Sequence, residues 1–574
     1  MVTLIRVSSP RKTVCVTFPD GLVLEGPVGT TVEAFLIAAE QTRPGRHNSA
    51  LMGGILDGRL RELSYPVMQD AALDSVLLTS SDGGRIYRRS LVMLLATAIE
   101  ELWPGQKVSV NYAVPDGGFY CKLLNHPPLS SDQLVQLENH MRQIVADNDP
   151  ITKRLVPLDE ATELFRGRND EDKVRLLEQR TRNDLTLYTL RGRDDYYYGY
   201  MVPSTGYLQV FRLIGANGGF ILQYPRKETP AHLGEMTAAG KLTRVFQEAD
   251  DWLRRMEVED IGSLNRAVRE DRIAELILVA EALHEQRIAY IAREISEKHQ
   301  SEGVRLVLIA GPTSSGKTTF AKRLSIQVLA HGLRPFTLEL DNYFVNRELT
   351  PKDENGEYDF EALGAVNLEL FNEHLLKLIH GEEVRLPSFD FVHGISREGQ
   401  TARLRENQII IVEGIHGLNP SLVPQIPPEV IYRVYVSALT QLNIDSHNRV
   451  PTTDVRLLRR IVRDAAHRGN SATATLLRWE SVRRGEKLNI FPYQENADAM
   501  FNSALVYELA ALRELVEPLL LQVTPATPPH IEANRLLSFL RWVQPLSPHQ
   551  QGMIPDTSLL REFIGGSILQ DYRP

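Results

Sequence analysis

The stretch Gly311-Pro312-Thr313-Ser314-Ser315-Gly316-Lys317-Thr318 constrains what this chain can fold into more than any other. It follows the pattern G-x-x-x-x-G-K-[ST] and lies between an apolar run over 306–310 and a helix-like segment over 319–330. A strand, a glycine-rich turn and a helix start, in that order, place backbone N–H groups and a helix N-terminus around a phosphate. Gly311, Ser314, Ser315, Gly316, Lys317, Thr318 and Thr319 are therefore the candidate cradle. Lys317 would neutralise the terminal phosphates and Thr318 would offer its hydroxyl to Mg²⁺. The pattern predicts a nucleoside triphosphate ligand; a chance glycine turn would not need both flanks.

A chain of 574 residues is too long for one hydrophobic core, so several domains are expected. With 43% hydrophobic residues, 24% charged residues and a formal net charge of −9, no global basic field supports a nucleic-acid partner, although a local patch stays open. Cys15 and Cys121 lack metal-ligand spacing, which argues against a disulfide framework or zinc site and fits a reducing compartment. The start, Met1-Val2-Thr3-Leu4-Ile5-Arg6, turns polar too soon for a secretory leader, and no apolar run approaches the roughly 18 residues of a membrane span. A cytoplasmic location without a membrane partner is the expectation.

Residues 1–65 read as a hairpin plus a helix: Val14, Val16 and Phe18 alternate, Asp20-Gly21 turns, Leu22 and Leu24 resume, and Gly29-Thr30-Thr31-Val32 opens a helical stretch. This layout resembles the TGS domain, a ubiquitin-like module of threonyl-tRNA synthetases and some GTPases. Its charges are nearly balanced, so RNA binding has no electrostatic support there. Residues 66–235 are similar to the α+β editing-type domain that follows TGS in those synthetases, on Trp103-Pro104-Gly105, Asp116-Gly117-Gly118-Phe119-Tyr120 and Val202-Pro203-Ser204-Thr205-Gly206. The family's editing centre uses an H-x-x-x-H helix and a C-x-x-x-H pair, and the matching positions here are Arg89, Met93, Tyr197 and Met201. Without imidazole or thiolate there is neither metal site nor general base, so the resemblance implies a catalytically silent module. Tyr196, Tyr197, Tyr198 and Tyr200 read as a packed strand face, with stacking on a base as the alternative. Residues 236–300 carry helical periodicity in Ile273, Leu276, Ile277, Ala280 and Leu283 and read as a helical connector.

Over 301–525 strand-like and helix-like segments alternate: 336–340, 368–380, 408–412 and 430–436. The alternation predicts an α/β fold with a mainly parallel sheet, in which ligands gather beyond the carboxyl ends of the strands. Asp341 follows one strand and Glu413 another, so both carboxylates should converge on the phosphate loop. One carboxylate can orient an acceptor hydroxyl and take its proton while the other holds Mg²⁺. Asp341 is given the first role and Glu413 the second, an assignment that can be exchanged. The plain alternatives are a turn cap and a structural hydrogen bond. Arg456, Arg459, Arg460 and Arg463 recur at i, i+3, i+4 and i+7 opposite Leu457, Leu458, Ile461 and Val462, which predicts a helix with one basic face suited to phosphates. A solvated face is the alternative. Residues 526–574 read as a helical tail, with helices over 531–543 and 558–564 before Gly565-Gly566.

Asp341-Asn342-Tyr343-Phe344, Tyr358-Asp359-Phe360, Phe389-Asp390-Phe391-Val392-His393 and Glu413-Gly414-Ile415 together resemble the uridine kinase and phosphoribulokinase family, in order and spacing through about Arg468. The resemblance is strongest to bacterial nucleoside kinases that carry the same synthetase-like N-terminal region. It implies a P-loop kinase in which Asp341 is the catalytic acid/base and Lys317, Arg463 and Arg468 stabilise the transferred phosphoryl group. It also implies acceptor contacts from Asp341, Tyr343, Asp359, Phe389, His393 and Arg456, with Thr318 and Glu413 at Mg²⁺. Phe389 stands where uridine kinases typically have tyrosine, and His393 comes one residue early, which puts uridine preference in doubt. The implied activity is transfer of the ATP γ-phosphoryl group to a nucleoside 5′-hydroxyl. A sugar phosphate or another small hydroxyl acceptor is the first alternative, and an RNA- or ribosome-associated NTPase the second. A homo-oligomer is left open.

Overall fold

The computed structural model describes residues 11–45, 48–237, 240–352, 356, 358–390, 393–440 and 442–573. The leader reading on Met1 to Arg6, and Phe391 and Val392 of the quoted motif, lie outside the described residues.

In the first unit the Thr31 hydroxyl accepts from the Ala34 N–H and starts the helix Val32–Thr42, whose buried Val32, Phe35, Leu36 and Ala39 face a five-stranded sheet. The strands run in the order Val23–Pro27, Thr13–Thr17, Ala71–Leu77, Leu51–Leu56, Arg59–Arg61. Thr13–Thr17 pairs in parallel with Ala71–Leu77, which pairs on its other edge with Leu51–Leu56. The unit therefore extends to Leu77, beyond the expected boundary at residue 65. Its central strand arrives last in the chain, and the break at Tyr65-Pro66 lies inside the unit.

The second unit is built round the helix Ser81–Leu102, buried on most of its circumference from Leu91 to Ile99. An antiparallel sheet, ordered Arg212–Ala216, Gly219–Gln223, Gly118–Leu123, Val108–Val114, and a three-stranded sheet of Thr152–Pro157, Asp184–Leu190 and Arg193–Asp195 make an α+β layer structure. The segment read as a connector forms helices Gly240–Arg255, Ile261–Arg269 and Ile273–Ser301. One continuous apolar core runs from Val156 and Phe165 through Ile277 and Ile288 to Val307 and Ile461, so the helices are part of the packing between the halves.

The C-terminal half contains strands β1 (Leu306–Ala310), β2 (Arg334–Glu339), β3 (Gln408–Glu413), β4 (Ile431–Ser437) and β5 (Ala499–Asn502). They lie in the order β2-β3-β1-β4-β5, every neighbouring pair parallel. β1 is buried along its whole length and β3 from Ile409 to Val412, because helices cover both sheet faces. Helix α1 (Lys317–Ala330) leaves the phosphate loop, and helix α2 (Thr452–His467) is the arginine-bearing one. An antiparallel hairpin, Glu383–Asp390 with Ile395–Arg403, stands apart from the parallel sheet. The tail forms Pro528–Leu540, Pro548–Gly552 and only a four-residue helix, Arg561–Ile564, within the segment expected to be helical over 558–564. Leu559, Leu560 and Phe563 bury themselves against the C-terminal half and bring the tail back to the phosphate loop.

A charged cluster fastens the second unit to the loop between β4 and α2. Lys173 lies 3.1 Å from Asp195 and 3.2 Å from Asp445, all three fully buried. The imidazole of His447 meets Asp195 at 2.9 Å, the Asn448 side-chain amide donates to the Tyr196 carbonyl, and the Tyr198 N–H donates to Asn448 Oδ1. Burial alone would lower the Lys173 ammonium, but Asp195 and Asp445 hold it above the ordinary lysine range.

Candidate phosphate-binding site

The phosphate loop turns through two left-handed residues, Ser314 (φ 56°) and Gly316 (φ 82°), which aim successive N–H groups into one concavity ahead of α1. At Gly316 a side chain would meet both that φ and the Leu559 side chain of the tail. The hydroxyls of Ser314 and Ser315 are buried without a hydrogen-bond partner among the described residues, and Lys317 Nζ folds back to donate to the carbonyls of Gly311 (2.9 Å) and Pro312 (3.2 Å). Buried donors without partners are costly, and phosphate oxygens are the acceptors that would satisfy them.

β3 ends at Glu413, so its carboxylate emerges beside the loop that follows β1. Thr318 Oγ1 donates to Glu413 Oε1 at 2.8 Å, while Glu413 Oε2 is buried with no partner among the described residues. Burial raises the Glu413 carboxyl to about 7 against the opposing pull of Lys317 and Thr318; Glu562 and Asp341 add repulsion. Asp341 sits in a 3₁₀ turn, Leu340–Tyr343, directly after β2. Its side chain is open to solvent, yet the cleft walls raise its carboxyl, with Lys317 as the first opposing charge and Arg468 a weaker one. Burial lowers the Lys317 ammonium while Glu413 and Glu562 oppose that lowering. Lys317, Thr318, Asp341 and Glu413 thus share one electrostatic neighbourhood at the carboxyl edge of the sheet.

Other expected site residues are placed differently. The turn that points Asp341 outward sends Tyr343 inward: its side chain is buried, its hydroxyl meets His374 Nδ1 at 3.1 Å and its ring packs edge-on against Phe371. Tyr343 is a core residue. Phe389 is buried edge-on against Phe344, and its N–H donates to Asn342 Oδ1. His393 lies at the hairpin turn, 65% exposed, with its imidazole held by Asp390 at 2.8 Å. Asp359 accepts from the Glu361 N–H.

The basic-face reading of α2 fails for Arg456 and Arg459, which are 1% and 0% exposed. Arg456 forms a two-pronged ion pair with Glu486 (Nη2 to Oε2, 2.8 Å) and donates to the Thr313 carbonyl; Glu486 in turn accepts from the Thr313 N–H. Arg459 pairs with Glu508 at 2.6 Å and reaches the Ser314 carbonyl at 3.5 Å. These two arginines brace the phosphate loop from behind and are buried away from any acceptor molecule. A spacing of i, i+3, i+4, i+7 marks one side of a helix; here that side is covered by the helices Ala472–Asn489 and Glu508–Leu521. Arg460, Arg463 and Arg468 gather on the buried Asp464, at 3.2, 3.3 and 3.7 Å. Arg468, 55% exposed at the helix C-terminus, is the most accessible of the group.

Two carboxylates were not singled out from sequence. Glu361 has its carboxyl raised by burial first and by Glu486 second, with Arg460 and Lys317 opposing. It adjoins the Tyr358-Asp359-Phe360 motif, which was a usable signal. Glu562 accepts from Thr319 Oγ1 at 2.8 Å and from the Thr319 N–H at 3.3 Å, so a tail carboxylate occupies the first turn of α1. Nothing local marks Glu562, because it arrives by tertiary folding.

Residues 306–509 match the model of the Phosphoribulokinase / Uridine kinase family. The N-terminal region is similar to threonine–tRNA ligases: that of Burkholderia multivorans is 35% identical over 208 residues, covering 36% of this chain and 32% of that enzyme. That of Listeria welshimeri is 34% identical over 206 residues, covering 36% and 31%. The chain spans about a third of the length of these curated relatives. Among solved structures, D-glycerate 3-kinase from Cryptococcus neoformans var. grubii is 16% identical, with a TM-score of 0.26 over 37% of this chain and 89% of its own. Residues 306–509 are thus similar to the phosphoribulokinase and uridine kinase family in a P-loop kinase fold, and the N-terminal region is similar to threonine–tRNA ligases.

Proposed function

We propose that this chain is an ATP- and Mg²⁺-dependent phosphotransferase whose acceptor is the 5′-hydroxyl of a nucleoside, uridine or a close relative. The observation that carries the reading is the meeting of Lys317, Thr318, Glu413 and Asp341 at one sheet edge, with Glu413 Oε2 buried and unpartnered among the described residues. That donor set fits Mg²⁺: a hydroxyl and a carboxylate are hard oxygen ligands, and this cation commonly takes one or two from the protein and the rest from phosphates and water. When bound, the cation supplies charge neutralisation between the terminal phosphates.

The chain's own residues supply position and charge. The nest at Ser314 and Gly316, with the Ser314 and Ser315 hydroxyls, receives phosphate oxygens, and Lys317 exchanges its two carbonyl partners for them. Arg456 and Arg459 keep the loop backbone in that shape through Glu486 and Glu508. Asp341, solvent-facing and with its carboxyl raised, is placed to orient an acceptor hydroxyl and take its proton. Arg468, with Arg463 behind it, provides positive charge near the transferred group. Asp359 and His393 belong to the loop and hairpin that would bound the acceptor, and their contribution is to selectivity.

The test is an acceptor panel of nucleosides and sugar phosphates with ATP and Mg²⁺, products identified by mass, run on the natural chain and on Asp341→Asn. The expected result is a nucleoside monophosphate, with the variant slowed at least about a hundredfold while nucleotide binding is retained. Full turnover by the variant would reject the role of Asp341, and a sugar phosphate as sole acceptor would reject the nucleoside assignment.

A further inference from the structure

A cavity of about 560 Å³ lies between the first unit, the second unit and the tail helix Pro528–Leu540. Eight arginines and one lysine line it against a single lining carboxylate, Asp82. Part of this charge is answered locally: Arg85 and Arg535 pair with Asp82, Glu532 and Asp454, Lys153 with Glu62, and Arg180 and Arg182 approach Asp184. Among the described residues, Arg59, Arg61, Arg89 and Arg541 have no such carboxylate. Arg61 donates only to the Leu60 carbonyl and the Tyr200 hydroxyl, and Arg89 to the Tyr200 carbonyl at 2.6 Å.

Arg89 is held deliberately by the backbone. Gly199 has φ 107°, and a Cβ there would stand 2.7 Å from the Arg89 guanidinium carbon, so only glycine lets the guanidinium lie flat against this turn. Burial lowers the Arg89 guanidinium to about 10, with Tyr188 and Tyr198 opposing. Of the four, Arg89 is desolvated and Arg61 half-buried, while Arg59 and Arg541 are exposed, so an anion entering the cavity would meet guanidinium groups that no carboxylate answers and would relieve the cost of burying Arg89.

We propose that this cavity is a second ligand site, separate from the phosphate loop, which binds a small, multiply phosphorylated nucleotide. Planar guanidinium forks match phosphate oxygens in pairs. The volume is that of a small-molecule site, and the half-buried Tyr198 and Tyr200 offer aromatic wall for a base. A concave site on a chain of net charge −9 favours a compact ligand over an extended polymer. The inference stands independently of the kinase reading.

The experiment is calorimetric titration of the full chain carrying Lys317→Ala, which weakens the phosphate loop, with inorganic tripolyphosphate and with ATP. Both probes are expected to bind, and adding Arg61→Ala and Arg541→Ala should weaken binding at least about tenfold while near-UV circular dichroism is unchanged. Should that protein fail to fold, Arg541→Glu alone, at an exposed position, is expected to weaken binding by a similar factor. Binding unchanged in either folded variant would overturn the proposal, as would failure of both probes to bind the Lys317→Ala chain. A short RNA bound through Arg61 and Arg541 when neither probe binds would also overturn it.

Discussion

Glu413→Gln tests whether a carboxylate has been kept in the site at the expense of stability. In the folded chain burial raises the Glu413 carboxyl to about 7 from an ordinary value of 4.5. Between those values the folded state holds a proton that the unfolded chain has released. Folding stability therefore falls as pH rises through that window, and the deficit is complete above about pH 7. A separation of roughly 2.5 pKa units at about 1.4 kcal/mol each gives a penalty on the order of 3 kcal/mol. Glutamine keeps the shape and the oxygen facing Thr318 Oγ1 but carries no charge. Without nucleotide, Glu413→Gln is expected to be more stable than the natural chain by about 3 kcal/mol near pH 8, and equal to it near pH 4.5. Urea denaturation of both proteins across this range measures the difference directly. A difference independent of pH, or a variant less stable near pH 8, would refute the claim that burial of the Glu413 carboxylate outweighs the pull of Lys317.

The tail carboxylate Glu562 takes the Thr319 N–H and hydroxyl that a phosphate would otherwise use, so Glu562→Ala is expected to tighten nucleotide binding by about tenfold, or about 1.4 kcal/mol. Unchanged or weaker binding in fluorescence titration would show that the tail does not compete. Lys173→Met removes the cation between Asp195 and Asp445 and leaves buried charge behind, at an expected cost of about 3–5 kcal/mol in denaturant unfolding. A loss below about 1 kcal/mol would mean water reaches the cluster.

The parallel sheet was legible because β1 and β3 are apolar runs bounded by functional residues, and a glycine loop after one strand fixes which edge carries the site. Asp341 and Glu413 could be placed there from strand ends alone. Burial direction was not legible in short turns: Tyr343, two residues from Asp341, points the opposite way because a 3₁₀ turn rotates successive side chains through about a third of a circle. Nor could periodicity distinguish water from a partner helix at Arg456 and Arg459, since their acids, Glu486 and Glu508, are 30 and 49 residues further along the chain. The strand Ala71–Leu77 was missed for the same reason, as its partner Thr13–Thr17 lies at the other end of the unit.

The buried contact of Lys173 with Asp195 and Asp445 makes the two halves inheritable only together. A fragment severed ahead of residue 301 would strand an ammonium with one of its two anions gone, and the complementary piece would bare Asp445 along with the loop that leads into α2. Swapping either half for an unrelated one would leave buried charge at the joint until that cluster was rebuilt.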